Sequence, residues 1–137
     1  MIDRPKVWTR RRHLSLTLAL ASTLLSSSGC GGGSVPIPSD QTQARQTLDS
    51  ALESWKKGET VEAMKTASPS ILVSDSKWER GAKLSKFEVQ GEGKPSGAER
   101  AFTVDLWLAD SKGKETKEQV VYKVGTNPIL TVFRSLF

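Results

Sequence analysis

The hydrophobic residues of this chain change their spacing near Lys83, from a helical period to a period of two. From Asp40 to Lys57 they recur every three or four positions, which is typical of an amphipathic helix with one buried stripe. After Lys83, four runs alternate apolar and polar residues and are separated by short turn sequences, as antiparallel strands are. The sequence therefore predicts an α+β domain whose N-terminal helices pack on a curved four-stranded antiparallel meander sheet. The predicted helix stripe consists of Ala44, Leu48, Ala51, Leu52 and Trp55.

Shorter elements are predicted between the first helix and the sheet. The segment Glu59–Ala67 is expected to form a second helix that ends at the following "SPS" sequence, because the residue before a proline disfavours helical backbone. The next residues, "ILVS", can form a short strand. A helix of one or two turns is expected after them, with Asp75 or Ser76 as its N-cap.

Residues 1–29 show the three-part pattern of an export signal. A basic segment, Met1–His13, is followed by an apolar run, Leu14–Leu25, and then by small residues that lead to Cys30. The apolar run has roughly a dozen residues, fewer than the ~20 that a bilayer-spanning helix needs. A buried core helix is the alternative interpretation, but the run has no recurring polar face and directly follows three arginines and a histidine.

The sequence "SSSGC" at residues 26–30 resembles the end of a bacterial lipoprotein signal peptide, in which small residues precede a lipidated cysteine. Gly29 and Ser28 match that pattern, whereas Ser27 stands where the family usually has leucine. The resemblance implies cleavage between Gly29 and Cys30, attachment of palmitate and other lipid at Cys30, and a membrane-anchored domain outside the cytoplasm in the bacterial cell envelope. A free reactive thiol is the competing interpretation, although no activating group lies nearby in the sequence. The segment "TRRRHLS" partly resembles a twin-arginine motif, so both that route and the general secretory route stay open.

The glycine- and proline-containing segment after Cys30 predicts a flexible linker that ends near Ser39. The expected organisation is a signal peptide over residues 1–29, a lipidated cysteine and linker over 30–39, and one α+β domain over 40–137. Of 20 basic and 15 acidic residues, five basic and one acidic precede Cys30, so the rest of the chain is nearly neutral. Nucleic acid is therefore not an expected partner.

The order of the predicted elements, with "SWKKGETVEAM" at the end of the first helix, resembles the NTF2-like family of cystatin-like α+β domains over Asp40–Arg134. The resemblance implies a bent sheet that wraps a long helix to form a cone. The chain is also similar to small envelope lipoproteins of unknown function through Trp78, Gly81 and Leu84 and through the closing "TNPILTVFR". Enzymes of the NTF2-like family use an aspartate or histidine inside the cone.

Few residues of this chain are suited to catalysis. The only histidine, His13, lies in the predicted signal peptide, and Cys30 is the only cysteine, which excludes histidine-dependent triads and multi-cysteine metal motifs from the domain. No cofactor and no metal are expected. Asp105 is the remaining acid–base candidate if its strand face lines a pocket; otherwise it is a surface charge paired across strands, with Lys117 or Lys123.

The sequence thus predicts a non-enzymatic domain that binds another envelope protein or a small apolar ligand, the alternative being a His-free isomerase or cyclase that uses Asp105. The expected pocket or binding-surface residues are Trp55, Trp78, Thr103 and Trp107.

Overall fold

One long helix crosses a five-stranded sheet in the computed structural model, which describes residues 32–136. The predicted signal peptide, including Gly29, and the predicted lipidation site Cys30 lie outside the described residues. The described residues from Gly33 onward form one unit by their contacts. In chain order, the elements are α1 (Gln41–Lys56), α2 (Val61–Thr66), β1 (Ile71–Ser74), α3 (Ser76–Glu79), β2 (Lys83–Ser96), β3 (Glu99–Ala109), β4 (Glu115–Gly125) and β5 (Leu130–Arg134).

The sheet is mixed, with the strand order β1-β5-β4-β3-β2. Strands β2 to β5 pair antiparallel in sequence order, and β1 adds to the far side of β5 in parallel, with Ile71 opposite Leu130. The expected fold class, an NTF2-like cone on a four-stranded antiparallel meander, is therefore wrong. The reason is that β1 has only four residues and pairs with a strand almost sixty residues later, so no local pattern specifies its partner or its direction.

The core lies between α1 and one face of the sheet. The predicted stripe of α1 is confirmed: each of its apolar residues is at most 2% exposed. Helix α1 packs against β2, β4 and β5, which present the alternate apolar residues of their strands. Asp40 caps α1 by accepting a hydrogen bond from the backbone N–H of Gln43, at 2.8 Å. The strand residues in the core are Ile71, Leu84, Phe102, Val104, Leu106, Leu108, Val120, Tyr122, Val124 and Val132.

Ser39 fixes the point where the N-terminal segment joins the domain. Its backbone N–H and its hydroxyl both donate to the carbonyl of Ala98 in the β2–β3 turn, at 3.0 and 2.9 Å. The hydroxyl accepts from the N–H of Thr126 after β4, and the carbonyl accepts from Arg100 Nε. The chain is therefore held from Ser39 onward, and we call this side of the domain, with Ser39, Ala98 and Thr126, the entry end.

The opposite side of the domain contains the last turn of α1, the end of α3 and the start of β2, and we call it the far end. A helix of the length of α1 spans about 24 Å, and the two ends of the domain lie at its two termini. Within residues 32–136, no helix is both long enough and apolar enough to cross a membrane.

Candidate functional site

Two copies of a Trp-x-x-Gly pattern meet at the far end. The first, "WKKGE", covers residues 55–59 and ends α1; the second, "WERGA", covers residues 78–82 and ends α3. In both, the glycine has a positive φ (89° at Gly58 and 86° at Gly81), a conformation that other residues adopt only with strain. In both, the N–H of the glycine donates to the carbonyl of the tryptophan. The N–H of the residue after the glycine donates to the carbonyl of the residue before the tryptophan, which completes the Schellman arrangement.

The two copies bind each other reciprocally. The indole rings of Trp55 and Trp78 stack with their centroids 5.1 Å apart and their planes 3° from parallel. Trp55 Nε1 donates to the carbonyl of Ala82, and Trp78 Nε1 donates to the carbonyl of Glu59, both at 2.7 Å. Each tryptophan therefore satisfies a carbonyl just beyond the end of the other helix, where backbone groups otherwise lack partners. The pair is 2% and 5% exposed, so it forms a rigid buried unit.

A buried ionic network links this unit to the sheet through Asp75. The Asp75 side chain is the N-cap of α3, accepting from the backbone N–H groups of Lys77 and Trp78 at 2.8 and 3.2 Å. Its other oxygen, Oδ2, accepts from the Tyr122 hydroxyl of β4 at 2.5 Å, and Arg134 Nη1 of β5 lies 3.5 Å from the capping oxygen, Oδ1. The carboxylate thus places α3, and with it Trp78, on the end of the sheet.

Arg134 is held between two carboxylates. Its Nη2 is 2.9 Å from Glu118 Oε1, and its Nη1 faces Asp75. Burial by itself lowers the pKa of Arg134, but the hydrogen bond to Glu118 and the charges of Asp75 and Glu118 outweigh burial and raise that pKa. The guanidinium therefore stays charged and can balance Asp75 in the interior.

Tyr122 gives a direct test of this network, because it is the only tyrosine in the chain. Burial, followed by the charge and the hydrogen bond of Asp75, raises the pKa of Tyr122 far above its ordinary value of 10.0. The unfolded chain therefore releases this proton more readily, so the contribution to stability is complete below pH 10.0 and is lost as the pH rises above that value. We expect the tyrosinate absorbance to appear only together with unfolding, followed by near-ultraviolet circular dichroism.

The Tyr122→Phe variant separates this effect from the titration of lysines in the same pH range. It should be less stable at neutral pH and should lose less further stability between neutral and strongly alkaline pH than the native protein does. Tyrosinate formation at an ordinary pKa with unchanged circular dichroism would contradict the buried hydrogen bond.

A cleft opens beside the tryptophan pair and has a volume of about 520 Å³. We call it the tryptophan cleft. Its rim carries Lys56, Lys57 and Lys83 and one carboxylate, Glu59, all of them exposed. Its remaining wall is formed by Gly58, Thr60, Gly81, Ala82, Leu84, Ser85 and Ala109 beside the two tryptophans.

Trp107 lies on the opposite face of the sheet, away from the helices. It is half-buried between two lysines that stand directly opposite it in the neighbouring strands, Lys86 of β2 and Lys117 of β4. Their ammonium groups are 4.5 and 4.8 Å from the centre of the indole ring. This aromatic residue is therefore covered by cross-strand cation–π contacts, which are worth about 0.5–1 kcal/mol each at exposed sites.

Asp105 lies on the same outer face and is engaged by three side chains. Its oxygens accept from Gln119 at 2.9 Å and Gln90 at 3.0 Å, and Lys117 Nζ lies 3.1 Å away. The hydrogen bonds from Gln119 and Lys117 outweigh the opposing effect of burial and hold the pKa of Asp105 below its ordinary value of 3.8. Asp105 is only 6% exposed, yet it does not line the tryptophan cleft.

The predicted binding residues thus fall into two groups on opposite faces of the sheet. Trp55 and Trp78 come together at the far end, whereas half-buried Thr103 lies on the outer face of β3, the face that also carries Asp105 and Trp107. Sequence reasoning missed the network of Tyr122, Arg134, Glu118 and Asp75, although it named Asp75 as a helix cap. The available signal was one tyrosine on the apolar face of a strand, since a buried hydroxyl needs a partner.

Comparison of the chain with protein-family models, with curated proteins and with solved structures found no match in any of the three. Within residues 32–136, no group of three or more His, Cys, Asp or Glu side chains is placed to hold a metal ion.

Proposed function

We propose that this protein is an exported lipoprotein, attached to the membrane of a bacterial cell envelope through Cys30, whose α+β domain is a non-enzymatic binding domain. The observation that carries the proposal is the arrangement of the two ends of the domain. The chain from the predicted anchor enters at Ser39, and the tryptophan cleft opens at the far end, about 24 Å of helix away. A domain tethered in this way has its attachment point and its cleft at opposite ends, so the attachment leaves the cleft uncovered.

The linker is long enough for this role. Residues 31–38 precede the fixed point at Ser39 and reach at most about 28 Å when fully extended. Their glycines and prolines favour extended, hydrated backbone over packing onto the domain. Val35 and Ile37 in this segment are 85% and 88% exposed, which suits a stretch of chain close to a lipid surface.

No observation favours the alternative of a His-free enzyme that uses Asp105. A general base must reach a substrate proton and have a pKa near the working pH. Asp105 instead uses both carboxylate oxygens to hold Gln90, Gln119 and Lys117, and these donors keep its pKa low. Its role is to join β2, β3 and β4 across the outer face.

The anchor is tested by supplying radiolabelled palmitate to cells that express the full chain. We expect the native protein to carry label and to sediment with membranes, because the thioether at Cys30 requires the cysteine sulfur. Cys30→Ser should carry no label. Ser28→Ala is the matched control, since it keeps a small residue before the cysteine and should retain the label. Label that persists in Cys30→Ser would refute lipidation at this position.

A further inference from the structure

A second cleft adjoins the tryptophan cleft at the far end, and the two share Gly81, Ala82, Lys83 and Ala109. We call the second one the α3 cleft; its volume is about 510 Å³. Both volumes lie within the roughly 300–1,000 Å³ that is usual for small-molecule sites. The two clefts therefore form one continuous concave surface at the far end, and Lys83 is the cationic residue that lines both of them.

The charge of this surface is predominantly positive. Five cationic side chains line the two clefts, against two carboxylates, Glu59 and Asp110. Asp110 accepts hydrogen bonds from the backbone N–H groups of Lys112 and Lys114 within the β3–β4 turn, both at 2.8 Å, and one of the cations, Lys56, has its Nζ 4.0 Å from Glu53 Oε1. The cationic residues are Lys56, Lys57, Lys77, Arg80 and Lys83. This imbalance contrasts with the near neutrality of the chain after Cys30 and favours an anionic ligand.

The frame that holds these cations is rigid. Lys56 and Lys57 lie between Trp55 and Gly58, and Arg80 lies between Trp78 and Gly81, so both segments are fixed by the reciprocal indole hydrogen bonds. The backbone bearing these three side chains therefore does not have to be ordered when a ligand binds, which reduces the entropic cost of binding.

The wall of the surface is partly apolar. Ala82 and Ala109 lie in both clefts, and Leu84 and the edges of the two tryptophans add to the wall of the tryptophan cleft. A fully hydrated inorganic ion gains nothing from such a wall, whereas an organic anion can place an apolar group against it.

We propose that the joined tryptophan and α3 clefts bind a small organic anion, a phosphate monoester or a carboxylic acid, whose apolar body lies on Ala82 and Ala109 and whose charge is held by Lys83 and the neighbouring cations. This inference deepens the proposed function, because it rests on the domain being a binding domain and gives the class of its ligand. It does not depend on lipidation.

The experiment uses the full chain in micelles of a neutral detergent and follows the indole N–H signals by nuclear magnetic resonance. Phenyl phosphate is the probe; inorganic phosphate has the charge without the apolar body, and phenol has the body without the charge. We expect phenyl phosphate to shift the Trp55 and Trp78 signals saturably, to leave Trp107 unchanged, and to bind more tightly than either comparison compound. Added salt should weaken this binding.

Two lysine variants locate the charge. Lys83→Gln should weaken phenyl phosphate binding about two- to fivefold, the range expected for one exposed ion pair. Lys123→Gln, on the outer face of β4, is the matched control and should not change it. Absence of saturable shifts, equal binding of phenol, or equal effects of the two variants would overturn the proposal.

The same titration on Cys30→Ser separates this inference from the proposed anchor. Unchanged phenyl phosphate binding by a variant that carries no palmitate supports the proposed ligand class, whether or not the native protein is lipidated. Palmitate labelling of the native protein without any phenyl phosphate binding would overturn the ligand class and leave the anchor standing.

Discussion

Trp78→Ala should lower the free energy of unfolding by about 3–5 kcal/mol, as expected for the truncation of a large buried aromatic side chain. The substitution removes the stacking partner of Trp55 and leaves the carbonyl of Glu59 without its indole donor. Since small domains are stable by only about 5–15 kcal/mol, the variant should be close to unfolding at ambient temperature. Urea unfolding followed by circular dichroism measures the loss.

Trp107→Ala is the matched control for size and chemistry. It removes the same side chain from the half-buried outer face, where the lost contacts are those with Lys86 and Lys117, so the loss should be about 1–2 kcal/mol. Trp78→Phe isolates the hydrogen bond, since it keeps an aromatic ring and should cost about 1–3 kcal/mol for the unsatisfied carbonyl. Equal losses for Trp78→Ala and Trp107→Ala would contradict the structural role of the stacked pair.

Asp75→Ala should have an effect of similar size, about 3–5 kcal/mol, for a different reason. The change removes the counter-charge of Arg134, the acceptor of the Tyr122 hydroxyl and the cap of α3 in one step. The guanidinium stays in a largely buried site with only Glu118 to balance it. Thermal or urea unfolding measures the destabilisation, and the pKa of Tyr122 should fall toward 10.0 because the nearby negative charge is gone.

Two further variants divide this effect into charge and capping. Asp75→Asn retains an oxygen acceptor but not the charge, so its loss should lie between that of the native protein and that of Asp75→Ala. Asp40→Ala, at the exposed cap of α1, removes only a cap and should cost about 1 kcal/mol. A loss for Asp75→Ala no larger than that for Asp40→Ala would show that the ionic network contributes nothing.

The core of the domain follows closely from the sequence. Periodicity alone identified the buried face of α1 and the alternating runs that form the strands after Lys83, because a side chain's direction repeats every 3.6 residues in a helix and every two in a strand. The ends of α1 were predictable for a similar reason: Asp40 and Gly58 are residue types with a specific preference for the two helix termini. These features depend on near neighbours in the chain.

Features that join distant segments were not predictable in the same way. The parallel pairing of β1 with β5 and the contact of Tyr122 with Asp75 link residues tens of positions apart. The alternation of residues within a strand does not indicate which distant segment that strand will contact. The resemblance in element order led to a cone that this chain does not form. For the candidate site, the sequence predicted Trp55 and Trp78 as separate binding residues and did not indicate that they form a pair. The repetition of Trp-x-x-Gly at residues 55–58 and 78–81 was visible in the sequence and is the signal that would have paired them.

The hydrogen bonds of Ser39 have a mechanical consequence. Tension applied through the N-terminal segment reaches the domain at a residue that is bonded to the β2–β3 turn and to the chain after β4 at once. The load is therefore divided between two hairpin ends of the sheet before it can act on the first turn of α1. Tension along the linker therefore stretches several hydrogen bonds at once, so helix α1, which contains Trp55, is protected from unwinding.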